Sequence, residues 1–153
     1  MSASDVDWVR KAKTVFSVGK PEHFTEFGHC EECAEHDATL RSNSIDTIGV
    51  EHLGNPGWDP ICFSSEEGIA YYFPALIRLS LETIESDYYF DQLLFHLGYA
   101  GKDNRLLHHF TPRQKQFVAA FLADMICAFP AELERHLSAD EALKVHALWS
   151  ASS

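Results

Sequence analysis

No segment of this sequence is both long and apolar enough to cross a bilayer. The strongest stretch, residues 68–77, is interrupted by Pro74. Positive charge is scarce: 12 Lys and Arg stand against 23 Asp and Glu, for a formal net charge of −11. A field of that sign repels phosphate backbones and anionic lipid, so neither nucleic acid nor a membrane surface is an expected partner. An apolar leader is lacking as well: two acids fall among the first seven residues. The expected location is therefore the cytoplasm. Cysteine is sparse, with four in 153 residues, and the expectation there is reduced thiols. No internal repeat, Gly-x-Ser-x-Gly elbow, phosphate loop or dinucleotide fingerprint occurs. The common nucleotide- and serine-based chemistries thus have no local signature.

What is present is a chain that can build a core. Hydrophobic residues make up 46% of it, enough for one domain of this length without disulfide support. The pattern is mainly helical and predicts a single-domain multi-helix bundle over 1–153, with disordered ends at 1–4 and 150–153. A first helix is expected over 5–16, capped by Ser4 or Asp5, and a second over 30–41. Residues 45–53 hold one or two turns. Residues 54–60 are a rigid loop in which Pro56 and Gly57 suit a type II turn, with Gly57 at positive φ. Residues 61–85 read as helix with a break or start at Pro74, or alternatively as a short β-hairpin at about 61–73. A helix over 88–97 ends at Gly98. Thr111 and Pro112 open another, whose stripe of Phe117, Val118, Phe121, Leu122 and Met125 is strongly apolar. Ala119, Ala123 and Cys127 lie on its other face, where small residues permit close approach of a helix. A last helix runs from Ser138 to about Trp149.

The richest chemistry lies in His29-Cys30-Glu31-Glu32-Cys33-Ala34-Glu35-His36. Two thiols at Cys-x-x-Cys spacing can chelate a metal, act as a redox pair, or pack as small hydrophobes. Cys30 and His36 cannot serve one ion from a straight helix, since six residues rise about 9 Å. A zinc site therefore needs Cys30 in the cap or in the loop before the helix, with Cys33 in the first turn. The further ligands would be His29, His23, Cys62, or the pair His108 and His109. The redox reading needs a lowered thiol pKa, and Glu31, Glu32, Glu35 and Asp37 oppose that. Trp58 and Asp59 add an aromatic ring and a carboxylate that could orient a ligand, and His36 is a further pocket candidate. His96 shares a helix with Gln92 and Tyr89 at i−4 and i−7, which reads as a satisfied semi-buried imidazole or alternatively as a polar pocket edge.

Together Pro21-Glu-His-Phe24, the His29–Asp37 stretch, Leu53-Gly-Asn-Pro-Gly-Trp-Asp-Pro-Ile-Cys-Phe63, Tyr71-Tyr-Phe-Pro-Ala-Leu76 and Phe110-Thr-Pro-Arg-Gln-Lys-Gln-Phe117 form a recognisable set. They resemble a family of small bacterial proteins of unknown function. The resemblance implies a bacterial source and a single domain, and brings no activity, cofactor or catalytic residue. The functional expectation is a small binding or accessory protein with a structural zinc near Cys30, Cys33, His29 and Cys62. Two alternatives stand beside it. One is a metal-free interaction module, binding a protein partner or a second copy through the Ala119/Ala123/Cys127 face. The other is a thiol-dependent or hydrolytic enzyme built on loop 54–60.

Overall fold

The computed structural model describes residues 6–152. Among them every regular element is helical. Ten α-helices run α1 (Trp8–Val15), α2 (Glu31–Ser42), α3 (Val50–Leu53), α4 (Pro60–Phe63), α5 (Glu66–Glu82), α6 (Phe90–Gly98), α7 (Arg105–His109), α8 (Pro112–Ala128), α9 (Pro130–Arg135) and α10 (Ala139–Ser152). Among the described residues no helix is long and apolar enough to cross a membrane. The expected cap residues Ser4 and Asp5, and the expected disorder at 1–4, lie outside the described residues. The cap observed for α1 is Asp7, which accepts from the Arg10 amide.

The centre is α5, which buries eleven of its 17 residues. A helix apolar on nearly every side belongs in a core, and α1 and α6 pack against it. α8 lies across α1 and along α10, and α10 also meets α6. Aromatic rings fill the join. Phe16 stacks on Phe73 with centroids 4.5 Å apart and meets Phe110 and Phe117 edge-on. Trp8 sits edge-on to Phe117 and Phe121, its indole N–H donating to Asp124. Such pairs add about 0.5–1.5 kcal/mol beyond the area they bury.

Several local expectations are corrected. The β-hairpin at 61–73 does not form. Asp59 accepts from the Ile61 amide and starts α4, and Ser65 accepts from the Gly68 amide and starts α5, so both halves enter helices. α5 then runs through Pro74 without ending, because burial on all sides outweighs the roughly 3 kcal/mol a helix-interior proline costs. Gly57 has no positive φ. Residues 56–58 make a 3₁₀ turn, capped by the Asn55 side chain on the Gly57 amide. Gly98 is the last residue of α6 and not a left-handed stop; a Cβ there would meet Val145 Cγ2 at 2.9 Å. Its role is to let α10 approach. The left-handed turn falls instead at Ala100 and Gly101, with φ of 66° and 54°. α10 reaches Ser152, three residues past Trp149. Ala119 is buried within the chain, whereas Cys127 is exposed.

The segment before the cysteines is pinned to the start of α5. The Ser65 amide donates to the Phe24 carbonyl at 2.7 Å, and the Phe24 ring is buried. A Cβ on Gly68 would come within 2.6 Å of Phe24 Cδ2 and collide with the Ser64 hydroxyl. In an open helix Gly→Ala gains about 1 kcal/mol. Here Gly68→Ala is expected to destabilise by about 1–3 kcal/mol through overpacking. Urea unfolding checks this, and a stabilised variant contradicts it.

Candidate metal centre

The first candidate site is built by the start of α2. Cys30 is extended, at φ −162°, and serves as the N-cap, its sulfur accepting from the Cys33 amide at 3.4 Å. This puts both thiols on the same side of the first turn, with Sγ atoms 3.3 Å apart. The chain before it turns back through a His29 N–H to Glu26 carbonyl bond, bringing His29 Nδ1 to 3.8 Å from Cys33 Sγ. Donor atoms of His29, Cys30 and Cys33 all lie within 4.8 Å of one another, so these three could hold a metal ion. Tetrahedral zinc spaces sulfur and nitrogen ligands about 3.5–3.8 Å apart, given bonds of about 2.3 and 2.0 Å.

The two thiols are shifted in opposite directions. The Cys33 amide, the His29 ring and the Cys33 thiol hold Cys30 down at about 7. The hydrogen bond to Cys30 raises Cys33, and burial with the charges of Cys30, Glu32 and Glu26 adds to it. Cys30 is exposed and Cys33 buried. The pair is thus a more acidic thiol beside a less acidic one, and a bound cation would favour the thiolate form of both.

The loop carrying His29 is clipped to α2 by Asp37. One carboxylate oxygen accepts from the Phe24 and Thr25 amides, at 2.6 and 3.1 Å, and the other binds His23 Nδ1 at 2.7 Å. The Thr25 hydroxyl donates to the Cys33 carbonyl at 2.6 Å. His23, stacked on Phe27, is therefore a clip residue and does not join the cysteines.

His36 does not reach the sulfurs either. It is buried against Trp58 and Phe63, with Nε2 at 3.4 Å from Glu32 and Nδ1 without a partner. Through it α2 sits on Trp58 and α4. His108 donates to the Lys102 carbonyl, and His109 is exposed beside Phe110; neither joins a metal-capable group.

Cys62, expected with Cys30 and Cys33, stands elsewhere. It belongs with Asp59 and His96, whose donor atoms likewise lie within 4.8 Å of one another and of its sulfur. The reason is cap geometry. Asp59 starts α4 and Cys62 follows within that turn, so the pair faces α6. Asp59 Oδ2 accepts from His96 Nε2 at 2.8 Å and Gln92 Nε2 at 3.0 Å, and Oδ1 from the Ile61 amide at 2.9 Å. Gln92 also donates to the Leu53 carbonyl. Burial pushes the Cys62 thiol up to about 11; the Asp59 charge adds to this and Arg105 offsets part of it. The Tyr89 phenol, raised by complete burial and by the charges of Asp59 and Cys62, has no hydrogen-bond partner.

Sequence reasoning placed His96, Gln92 and Tyr89 together on one helix but missed Asp37 and the pairing of His96 and Gln92 with Asp59. Gln92 and His96 are four apart on one helical face, the only local signal. No family model, curated protein or solved structure matches this chain.

The clip gives the loop an acid dependence. Burial alone would raise the Asp37 carboxyl, but His23 and the Phe24 and Thr25 amides outweigh it and hold the group below its usual value. A lowered folded pKa means the contribution is complete above the unfolded value of about 3.9 and is lost as pH falls through the folded one. Hydrogen exchange should show the Phe24 and Thr25 amides protected at about pH 5 and opening well below about pH 4. Asp37→Asn should expose them at neutral pH. Unchanged protection in that variant contradicts the clip.

Proposed function

We propose that this chain is a small metal-binding accessory protein in which His29, Cys30 and Cys33 hold zinc. The observation that carries this reading is the convergence of the three donors, with sulfurs 3.3 Å apart on a helix cap. Two thiolates and an imidazole suit a thiophilic divalent ion and do not suit magnesium or calcium. The fourth position is left for water or a donor from a partner. The ion would fasten residues 25–29 to α2 beside the bonds that Asp37 makes to the Phe24 and Thr25 amides. The net charge of −11 favours the approach of cations. The resemblance to bacterial proteins of unknown function is consistent with this role and adds no reaction to it.

A second reading has an observation of its own. An exposed Cys30 held near 7 and followed by a buried Cys33 is the arrangement of an exchanging dithiol. In that chemistry the Cys30 thiolate attacks a substrate disulfide and Cys33 displaces the mixed disulfide. The chain's dithiol is oxidised and the substrate disulfide reduced to two thiols.

Elemental analysis of protein purified without chelators separates the two. Zinc is expected in the wild type, with one ion fewer in Cys30→Ser and in Cys33→Ser, and circular dichroism unchanged. The affinity loss should exceed the roughly 10–100-fold typical of removing an outer hydrogen-bond partner of a ligand. Equal zinc in wild type and both variants overturns the metal reading. Metal-free protein that reduces a model disulfide through Cys30 supports the dithiol instead.

A further inference from the structure

The chain brings donors together a second time, on the other side of α4. Asp59 comes from the N-cap of α4, Cys62 from the same turn and His96 from α6, so the group exists only when α4 packs against α6. Asp59 and His96 are 3% and 8% exposed. Cys62 remains accessible and lies between two clefts. One, of about 320 Å³, has Cys62, His96, Phe95, Tyr99 and Arg105 in its lining; the other, of about 280 Å³, is lined by Asp59, Cys62, Asp91, Gln92, Phe95 and Pro56. Tyr89 supplies an independent observation. Its hydroxyl is buried with no partner and lies within electrostatic reach of Asp59 and Cys62. A buried orphan hydroxyl calls for a missing neighbour.

We propose that Asp59, Cys62 and His96 form a second cation site, for a thiophilic divalent ion of the zinc class. This site is independent of the one at His29. The donor chemistry selects the ion: carboxylate and imidazole alone admit several metals, but a thiolate disfavours magnesium and calcium. Charge balance fits the burial. A dication with one carboxylate, one thiolate and a neutral imidazole is electrically neutral, which suits donors of which Asp59 and His96 are buried. On binding, Cys62 releases its thiol proton and His96 carries its ring proton on Nδ1. The 2.8 Å contact between His96 Nε2 and Asp59 Oδ2 opens to the roughly 3.3 Å that tetrahedral ligands keep. Gln92 and the Ile61 amide stay on the carboxylate and hold its orientation. Three protein donors leave a fourth position, which the clefts can fill with water or with the carboxylate of a small ligand.

Cobalt(II) titration under reducing conditions free of small thiols tests this on the full chain, with sulfur-to-cobalt charge-transfer absorption as the readout. The wild type should bind two ions, and the Cys30→Ser/Cys33→Ser double variant one, with a weaker, single-thiolate band. Adding Cys62→Ser should abolish that band. Cys62→Ser leaves the Asp59–His96–Gln92 bonds intact, and circular dichroism verifies the fold. A folded double variant that binds no cobalt overturns the second site. So does an unchanged band when Cys62→Ser is added to it. One ion lost in Cys62→Ser but kept in the double variant supports the second site and overturns the site at His29. One ion lost in the double variant but kept in Cys62→Ser does the reverse.

Discussion

A single buried carboxylate, that of Asp59, ties the start of α4 to α6. Both of its oxygens are used: one starts α4 at the Ile61 amide, the other joins Gln92 and His96 of α6. Hydrogen bonds to a charged group contribute about 1.5–3 kcal/mol each, and stripping one partner from a buried charge costs more than the bond itself. Gln92 extends the network to the Leu53 carbonyl, so both ends of loop 54–60 are attached to the same helix. Trp58, next to Asp59, and Phe63, at the end of α4, form the surface on which His36 rests. The position of α2, and of the cysteines at its tip, therefore follows from where that carboxylate is held.

The two donor groups share one local grammar. Each has a cap residue followed three positions later by a thiol: Cys30 then Cys33, and Asp59 then Cys62. The third donor arrives differently. His29 is brought in by the preceding turn, a few residues away, whereas His96 comes from a helix 37 residues distant. In the first group only Cys33 is buried, whereas in the second Asp59 and His96 are buried and Cys62 alone is exposed. The thiols follow suit, with Cys30 held low by the helix amide and Cys62 raised by burial.

Features set within four residues were legible in the sequence. Thr111 and Pro112 open α8 as expected, with Gln114 completing a capping box. Helical rise puts Cys30 in the cap or in the loop before it, and of these the fold uses the cap. Features set by packing were not legible. Pro74 reads as a breaker until the burial of α5 is known. Gly98 reads as a helix stop until Val145 is seen against it. Cys62 reads as a partner of Cys30 because both are thiols, and nothing local shows that its turn faces α6. Asp37 is lost among 23 acids until the amides of Phe24 and Thr25 converge on it.

Helix α2 begins on sulfur where serine, threonine or aspartate would bind the amide more strongly. The atom that closes its first turn is also the atom most open to electrophiles, oxidants and soft cations. Any modification that occupies the lone pairs of Cys30 acts on the Cys33 amide at the same moment. The winding of that turn is thereby coupled to the chemical state of its surroundings, a coupling that a hydroxyl at the same position would not provide.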